Sequence, residues 1–449
     1  MKKLGFKNYF FIGIGGIGMS SLARYLKLKE KNVSGYDLNQ SKITNQLKDL
    51  EIEIIFKEQI DLIEKIYLNV EDTLIIYTPA IQSHNILYKY FIENNFKIIK
   101  RSDLLQLITH DKFTIAVSGT HGKTTVTSLL TNIFSHSDIE FTSFSGGIMK
   151  NFNSNLHVQG DKIFIVEADE YDKSFLKLNP DILCINNIDE DHLDVYDDYN
   201  DLKYSFEKFI KQIKSGGSLI FNENLNFIGK SFGINKESNY KLHNIVFKNL
   251  QSIFDVEYKN IFLKNIELNM VGFHNCLNAL AAIAISLEFN IPKEIIKKGL
   301  KEFKGIERRF SVELIDPVIY IDDYAHHPSE IISVYKTLCD LFPKKKKFAI
   351  FQPHLYSRTR DFMDDFANSL SNFDKIALLE IYPAREKSIP GISSEKLLEK
   401  IKVFDKSLTD EKGIINIINQ NDNEVVVTMG AGDIGNLVDK IKKEIAVEI

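Results

Sequence analysis

The chain has 449 residues, 44% of them hydrophobic and 26% charged, with a net charge of −5. These proportions belong to a globular protein of about three domains, and the acidic balance gives no electrostatic reason to expect nucleic acid or an anionic membrane as partner. Three cysteines, Cys184, Cys276 and Cys339, are far apart and odd in number, so small buried hydrophobes of a reduced compartment are expected instead of a disulfide framework or a metal cluster.

The chain opens with an imitation of a secretory leader: Lys2 and Lys3, then the apolar Tyr9 to Ile14, then Ser21-Leu22-Ala23. Glycines inside that run suit a tight turn better than a leader helix, and cleavage would remove a motif that makes sense in place. A cytoplasmic protein without membrane insertion is therefore expected. The motif is Gly13-Ile14-Gly15-Gly16-Ile17-Gly18, following a predicted strand at 8–13 and opening a predicted helix at 17–28. It matches G-x-G-x-x-G, and Asp37 closes the next short strand, Asn32 to Tyr36, where a ribose-binding acid is expected. Such a turn accepts any diphosphate, so NAD is one candidate among several. A further apolar run, Thr73 to Tyr77, continues a parallel α/β pattern.

The strongest local signal follows the strand Phe113 to Val117. Gly119-Thr120-His121-Gly122-Lys123-Thr124-Thr125 leads into a helix-compatible stretch from Val126 to Leu130. A glycine loop at a helix N-terminus points several N–H groups into one concavity, which suits phosphate. Lys123 is placed to reach the β- and γ-phosphates, and the Thr124 hydroxyl to sit on magnesium. The strict phosphate-loop pattern is not met, because Val117 stands at its first glycine. The loop indicates a nucleoside triphosphate without saying what the phosphate is for; a chance Gly-Lys-Thr at a helix start is the plain alternative.

Carboxylates then appear where a magnesium ligand is needed. The strand Lys162 to Val166 runs without a spacer into Glu167-Ala168-Asp169-Glu170-Tyr171-Asp172. The strand Ile182 to Asn186 leads to Asp189-Glu190-Asp191-His192-Leu193-Asp194, in which His192 reads either as part of a metal or phosphate site or as a helix-terminal residue. Strands at Val318–Ile321, Phe348–Phe351, Ile376–Leu379 and Glu424–Thr428 alternate with helical stretches, as in a doubly wound domain.

With these motifs in order, the chain resembles the Mur ligase family, the ATP-dependent amide-forming enzymes of peptidoglycan synthesis. The resemblance covers essentially the whole chain. Beyond the two glycine-rich loops, Glu167-Ala168-Asp169-Glu170 and Asp191-His192-Leu193-Asp194, it rests on Gly272-Phe273-His274-Asn275, Glu307-Arg308-Arg309-Phe310, Asp322-Asp323-Tyr324-Ala325-His326-His327-Pro328 and Phe351-Gln352-Pro353-His354. It implies an α/β fold of three domains: a Rossmann-like N-terminal domain for a UDP-sugar (1–108), a central P-loop ATPase-like domain with a mostly parallel sheet (109–305), and a C-terminal doubly wound Rossmann-like domain for the amino acid and part of ATP (306–449). The implied activity joins L-alanine to the carboxylate of UDP-N-acetylmuramate through an acyl phosphate.

By resemblance, Lys123, Glu167 and His192 are catalytic, and Thr124, Glu167 and His192 hold magnesium, two ions in catalysis with manganese able to substitute. Gly119 to Thr125 hold the phosphates of ATP, His274 and Asn275 lie near its adenine, Arg309 reaches its phosphates and Asp323 approaches its ribose. Gly13, Gly15, Gly16 and Gly18 face the diphosphate of UDP, with Asp37 and the Arg101 region on the uridine or sugar side. Tyr324, His326 and Arg358 form the amino-acid pocket, and a monomer or weak homodimer is expected. The alternative for Arg358 and Arg360 is a solvated pair on a helix start, and His327 and His354 have a plain loop-supporting reading.

Two departures from the family pattern stand out. Leu355 replaces an arginine of many relatives, which weakens or alters the expected hold on alanine. The position where sister ligases carry a carbamylated lysine falls near Phe206, with Lys203 and Lys208 out of register, so no carbamate is expected. A second G-x-G-x-x-G, Gly430 to Gly435, is expected to make a tight strand-to-helix turn without a bound dinucleotide. Three other functions compete. A recycling ligase would attach an intact tripeptide to the same sugar, but the segment from Ser174 to Pro180 lacks that enzyme's longer insertion. An NAD-dependent dehydrogenase would leave Lys123 idle, and a non-catalytic nucleotide-binding protein would leave lysine, hydroxyl and carboxylate without a task.

Overall fold

The structure is a computed structural model that describes residues 5–189, 195–196, 198–315, 318–384, 386–419 and 425–447. The described chain divides into two compact units. One comprises Met1–His243, Asp255–Ile266 and Leu277–Lys304, the other Asn244–Phe254, Glu267–Cys276 and Gly305–Ile449.

The first unit begins with a five-stranded parallel sheet. Its strands are β1 (Asn8–Ile12), β2 (Asn32–Tyr36), β3 (Glu53–Ile55), β4 (Thr73–Tyr77) and β5 (Lys97–Lys100), ordered β3-β2-β1-β4-β5. The run Tyr9-Phe10-Phe11-Ile12 is apolar at every position because β1 is covered on both faces, and each of these side chains is fully buried. The strand order reverses at β1, so the crevice beyond its carboxyl end is where such a sheet receives a ligand. The glycine-rich turn leads from that end into the helix Ile17–Leu28.

Ten strands make the second sheet. They are β6 (Phe113–Ser118), β7 (Phe141–Met149), β8 (Ser154–Val158), β9 (Ile163–Glu167), β10 (Ile182–Ile185), β11 (Ser218–Asn222), β12 (Lys230–Gly233), β13 (Tyr240–Lys248), β14 (Gln251–Tyr258) and β15 (Ile261–Leu268). Their order is β15-β14-β13-β12-β11-β10-β6-β9-β7-β8. The stretch from β7 to β13 is parallel, while β8 closes the edge antiparallel to β7. Central β6 has β9 and β10 as parallel neighbours, so the loops leaving all three strands emerge at one edge. One hydrophobic cluster serves both sheets: Tyr9, Phe11, Leu22 and Tyr25 pack in it with Phe144, Phe164, Val166 and Phe206. Phe206 is thus a core residue.

The third sheet lies in the second unit. It contains β16 (Ser311–Leu314), β17 (Ile319–Asp323), β18 (Lys347–Phe351), β19 (Lys375–Leu378), β20 (Asp405–Leu408) and β21 (Val425–Met429). In the order β16-β17-β21-β18-β19-β20, only β16 runs antiparallel to its neighbour. The last strand is therefore inserted between two earlier ones, with Met429 in register with both Asp323 and Phe351. Cys184 and Cys276 are buried, and all three cysteines are free thiols. Among the described residues no helix is long and apolar enough to cross a membrane.

Phe164 sits in the shared core, stacked on Phe144 at 6.3 Å and edge-on to Tyr25 at 6.1 Å. Truncating it leaves a cavity that neighbours on several strands cannot collapse into. Phe164→Ala is expected to lower the stability of the first unit by about 3–5 kcal/mol, read as a shift of its urea midpoint. A shift below about 1 kcal/mol would show that the two sheets do not depend on one core.

Candidate functional site

At the carboxyl end of β6 the chain turns sharply before the helix Lys123–Ser135. Gly122, the helix N-cap, has a φ of 79°, a left-handed conformation that glycine adopts at little cost. It also has no room for a side chain: a Cβ there would stand 2.4 Å from Asn278 Oδ1 and 2.8 Å from Asn186 Nδ2. The loop is laced to the segment after β10. Asn187 Oδ1 accepts from the His121 N–H at 2.7 Å, Asn187 O from the Thr120 N–H at 3.2 Å, and Thr120 Oγ1 from the Asp189 N–H at 2.9 Å. Asn186, Asn187 and Asn278 shape the loop, and sequence reasoning missed them. No motif marks them; the polar pair following the apolar strand β10 was the one available signal.

Lys123 and Thr124 each face a carboxylate of their own. The Lys123 ammonium donates to both oxygens of Glu170 at 2.7 and 2.8 Å and to the carbonyls of Gly119 and Thr120 at 2.7 and 3.2 Å. Glu170 is fully buried, and its own carbonyl accepts from the Tyr196 hydroxyl at 2.6 Å. Burial alone would push the Lys123 pKa down, but the charges of Glu170, Asp169 and Glu167 outweigh it and hold the ammonium protonated above its ordinary range. The Thr124 hydroxyl donates to Glu167 Oε1 at 2.9 Å, and the Gly146 N–H to Oε2 at 2.7 Å. Burial raises the Glu167 pKa, against the opposing pull of Lys123, Gly146 and Thr124.

The register Val117↔Glu167 explains why residues some 40 positions apart in sequence meet here: β9 lies beside β6, so its terminal carboxylate stands next to the glycine loop. A hydroxyl and a carboxylate oxygen 2.9 Å apart suit a hard cation that keeps waters and phosphate oxygens as its other ligands. His192, the other expected metal ligand, lies outside the described residues. Among the described residues no group of three or more His, Cys, Asp or Glu is arranged to hold a metal.

The N-terminal glycine turn is well formed. Gly13 has a φ of 88°, and its N–H and that of Ile14 donate to Tyr36 O at 2.8 and 3.0 Å. Asp37 Oδ2 accepts from the Gly15 N–H at 2.7 Å, so this acid braces the turn itself. Gly18 lies against the Arg101 guanidinium, where a Cβ would come within 2.8 Å of Nη1. Gly13, Gly15, Gly16, Gly18 and Asp37 are thus brought together, with Arg101 beside them.

His274, Asn275, Arg309, Asp323, Tyr324, His326 and Arg358 belong to the second unit. Tyr324 carries Arg308 on its ring at 5.2 Å and Arg309 at 5.1 Å. Buried Asp323 accepts from the N–H groups of Phe310 and Ala325 at 2.6 and 2.7 Å, and burial pushes its pKa up to about 6 despite Arg309 nearby. His326 Nδ1 lies 2.9 Å from Tyr324 O, and the His326 ring meets that of His354 edge-on at 6.0 Å. His354 in turn stacks on Tyr382 at 5.8 Å.

The structure thus gathers Arg309, Asp323, Tyr324 and His326. Arg358 is buried on the short helix Tyr356–Asp361, whereas Arg360 is exposed and paired with Asp361. Leu355, directly before that helix, holds a φ of 69°, rare outside glycine, and its N–H donates to Tyr382 O at 3.0 Å. Asn275 Nδ2 donates to Val271 O at 2.8 Å, and exposed His274 lies beside Gly272. His327 caps the helix Pro328–Leu341.

The C-terminal glycine turn is filled from within. Arg308 Nη2 donates to Gly430 O at 2.6 Å and Gln352 Oε1 accepts from the Ile434 N–H at 3.0 Å. A Cβ on Gly435 would fall 2.2 Å from Arg308 Cζ, so the space inside this turn is occupied by the chain's own side chains.

Three consecutive stretches match Mur ligase family models: "Mur ligase family, catalytic domain" over residues 8–113, "Mur ligase middle domain" over 117–286 and "Mur ligase, glutamate ligase domain" over 308–432. A UDP-N-acetylmuramate–L-alanine ligase of Christiangramia forsetii is 45% identical over 444 residues, covering 98% of each chain. One of Flavobacterium psychrophilum is 47% identical, again over 98% of each. Among solved structures, UDP-N-acetylmuramate-alanine ligase MurC of Thermotoga maritima superposes with a TM-score of 0.84 at 27% identity, over 98% of this chain and 100% of that one. A murein peptide ligase of Psychrobacter arcticus reaches 0.70 at 21% identity, a likeness of fold alone.

Gly122→Ala forces a left-handed alanine and a collision with Asn278. That strain, of order 1–3 kcal/mol, falls on the loop, so ADP affinity in calorimetry is expected to drop about tenfold or more. Unchanged ADP affinity in the folded variant would place the nucleotide elsewhere.

Proposed function

The chain belongs to the Mur ligase family, and on that premise we propose that it joins L-alanine to the carboxylate of UDP-N-acetylmuramate, with cleavage of ATP to ADP and phosphate, in the making of peptidoglycan precursors. The observation that carries this reading is the phosphate loop whose lysine and threonine each face a carboxylate, in a chain that relatives named for this reaction match over nearly their whole length. The reaction takes place in the cytoplasm on a monomer or weak homodimer. The UDP-sugar is held by 1–108, ATP by 109–305, and the amino acid with part of ATP by 306–449.

A carboxylate is a poor electrophile at neutral pH. One of its oxygens attacks the γ-phosphorus of ATP, ADP leaves, and an acyl phosphate forms. The alanine amine then attacks the acyl carbon, loses a proton and expels phosphate. The protein's share of the first step is positioning and charge neutralisation. Lys123, held protonated although buried, supplies a fixed cation beside the loop N–H groups. Thr124 and Glu167, with His192 by resemblance, would hold magnesium, which would lower the repulsion between the phosphates and the attacking carboxylate. The glycine turn at Gly13 to Gly18 receives the diphosphate of UDP, with Asp37 and Arg101 at its margins.

In the second unit, His274 and Asn275 serve the adenine, Arg309 the phosphates and Asp323 the ribose. Tyr324, His326 and Arg358 border the amino acid, and the planar guanidinium of Arg358 suits its carboxylate.

The reading is tested by phosphate release from ATP and UDP-N-acetylmuramate with alanine, serine, glycine or the recycled tripeptide in turn. Release with alanine supports it, whereas release with the tripeptide alone would assign the chain to the recycling reaction. In the fraction that remains folded, Lys123→Ala should cost on the order of a hundredfold or more in kcat. Substantial turnover in that variant would remove phosphoryl transfer from this loop.

Arg358→Lys replaces a fork of donors with a point charge. The KM for alanine should rise while those for ATP and UDP-N-acetylmuramate stay close to their original values. Equal loss for all three substrates would make Arg358 a support of the fold instead.

A further inference from the structure

The middle of β7 reads Ser143-Phe144-Ser145-Gly146-Gly147, and its two serine hydroxyls meet the helix that follows the phosphate loop. Ser145 Oγ lies 3.1 Å from Ser128 Oγ, and Ser143 Oγ lies 2.6 Å from Thr131 Oγ1. All four hydroxyl residues are buried, so these contacts fix the strand's register on the helix at a place where an unpaired hydroxyl would be costly. At the same point β7 leaves its neighbour: its pairing with β9 ends at Phe144↔Val166, and its register with β8 shifts between Phe144 and Met149. The Gly146 N–H, released from the sheet ladder, donates to Glu167 Oε2, while Thr124 on the helix donates to Oε1. Strand and helix therefore grip the two oxygens of one carboxylate separately.

We propose that Gly146 is a positioning residue for the magnesium carboxylate, and that the Ser128–Ser145 contact sets where it stands. The proposal rests on the reading of Glu167 as a metal ligand. Position 146 must lack a side chain for a local reason. Its φ is not left-handed, so the backbone accepts alanine, but a Cβ would stand 2.4 Å from Glu167 Oε1 and 2.6 Å from Oε2. What blocks the Cβ is the far end of a flexible side chain. The fold therefore accommodates it by moving the carboxylate, and the cost appears in metal binding.

The test measures binding of a fluorescent ADP to the full chain as magnesium is titrated, together with manganese binding by electron paramagnetic resonance in the presence of ADP. Gly146→Ala is expected to raise the metal concentration for half-maximal effect about tenfold or more, as loss of a residue that orients a metal ligand typically does. Its affinity for ADP without metal should stay as in the original chain, because the loop N–H groups and Lys123 are untouched. Ser145→Ala should shift the metal dependence in the same direction by less, and it serves as the sole arm should Gly146→Ala not fold. Glu167→Gln is the reference. If it abolishes the metal dependence while Gly146→Ala and Ser145→Ala keep that of the original chain, the inference is overturned and the ligand assignment stands. If Glu167→Gln itself leaves the metal dependence unchanged, the ligand assignment fails. A drop in metal-free ADP affinity equal to the metal effect would make Gly146 a support of the loop as a whole.

Discussion

The arrangement around the phosphate loop depends on one constraint: an ammonium group taken out of water must be given opposite charge and hydrogen-bond acceptors. Lys123 sits where burial opposes its charge, and Glu170, completely buried, faces it with both oxygens. Separately, each group would shift its pKa and discharge; together, with the carbonyls of Gly119 and Thr120 and the Tyr196 hydroxyl, every polar atom has a partner. The pairing requires β9 beside β6, because only that neighbour brings Glu167 and Glu170 to the loop. Strand order, shared core and loop lacing therefore serve one electrostatic requirement.

Two of the three carboxylates of Glu167-Ala168-Asp169-Glu170 divide the work by reach. Glu167 still belongs to β9 and points at Thr124 and Gly146, while Glu170, three residues beyond, has left the strand and turns to Lys123. One is held by a hydroxyl and an amide, and the other is taken up by a full positive charge.

Two turns with the same G-x-G-x-x-G spelling have different contents. At Gly13 to Gly18 the turn is closed by Tyr36 O and braced by Asp37, at the point where the order of a parallel sheet reverses. At Gly430 to Gly435 the insertion of β21 between β17 and β18 brings Arg308 and Gln352 into the turn, and they use its backbone groups. The glycines are needed in both for close approach of the protein's own groups: Asp37 and Arg101 at the N-terminal turn, Arg308 and Gln352 at the C-terminal one. The motif states that something comes close; it does not state what.

Local patterns sufficed for much of this protein. Apolar runs marked the parallel strands at Asn8–Ile12, Phe113–Ser118 and Ile163–Glu167, and the spelling of the loop at Gly119 to Thr125 assigned lysine and threonine their places, because backbone conformation and strand burial are written residue by residue. Contacts between distant segments were not legible. Asn186, Asn187 and Asn278 shape the loop without a motif, Gly146 meets Glu167 where β7 parts from β9, and Arg308 fills a turn over 120 positions away. Leu355, read in the sequence as a missing arginine, holds a φ of 69° with its N–H on the Tyr382 carbonyl. The sequence by itself determined which elements form and which chemical groups they carry, since propensity and periodicity are local. Only the tertiary structure decided which carboxylate faces which cation and which side chains fill each glycine turn, because those choices follow from strand order and from the requirement that buried charges and amides find partners.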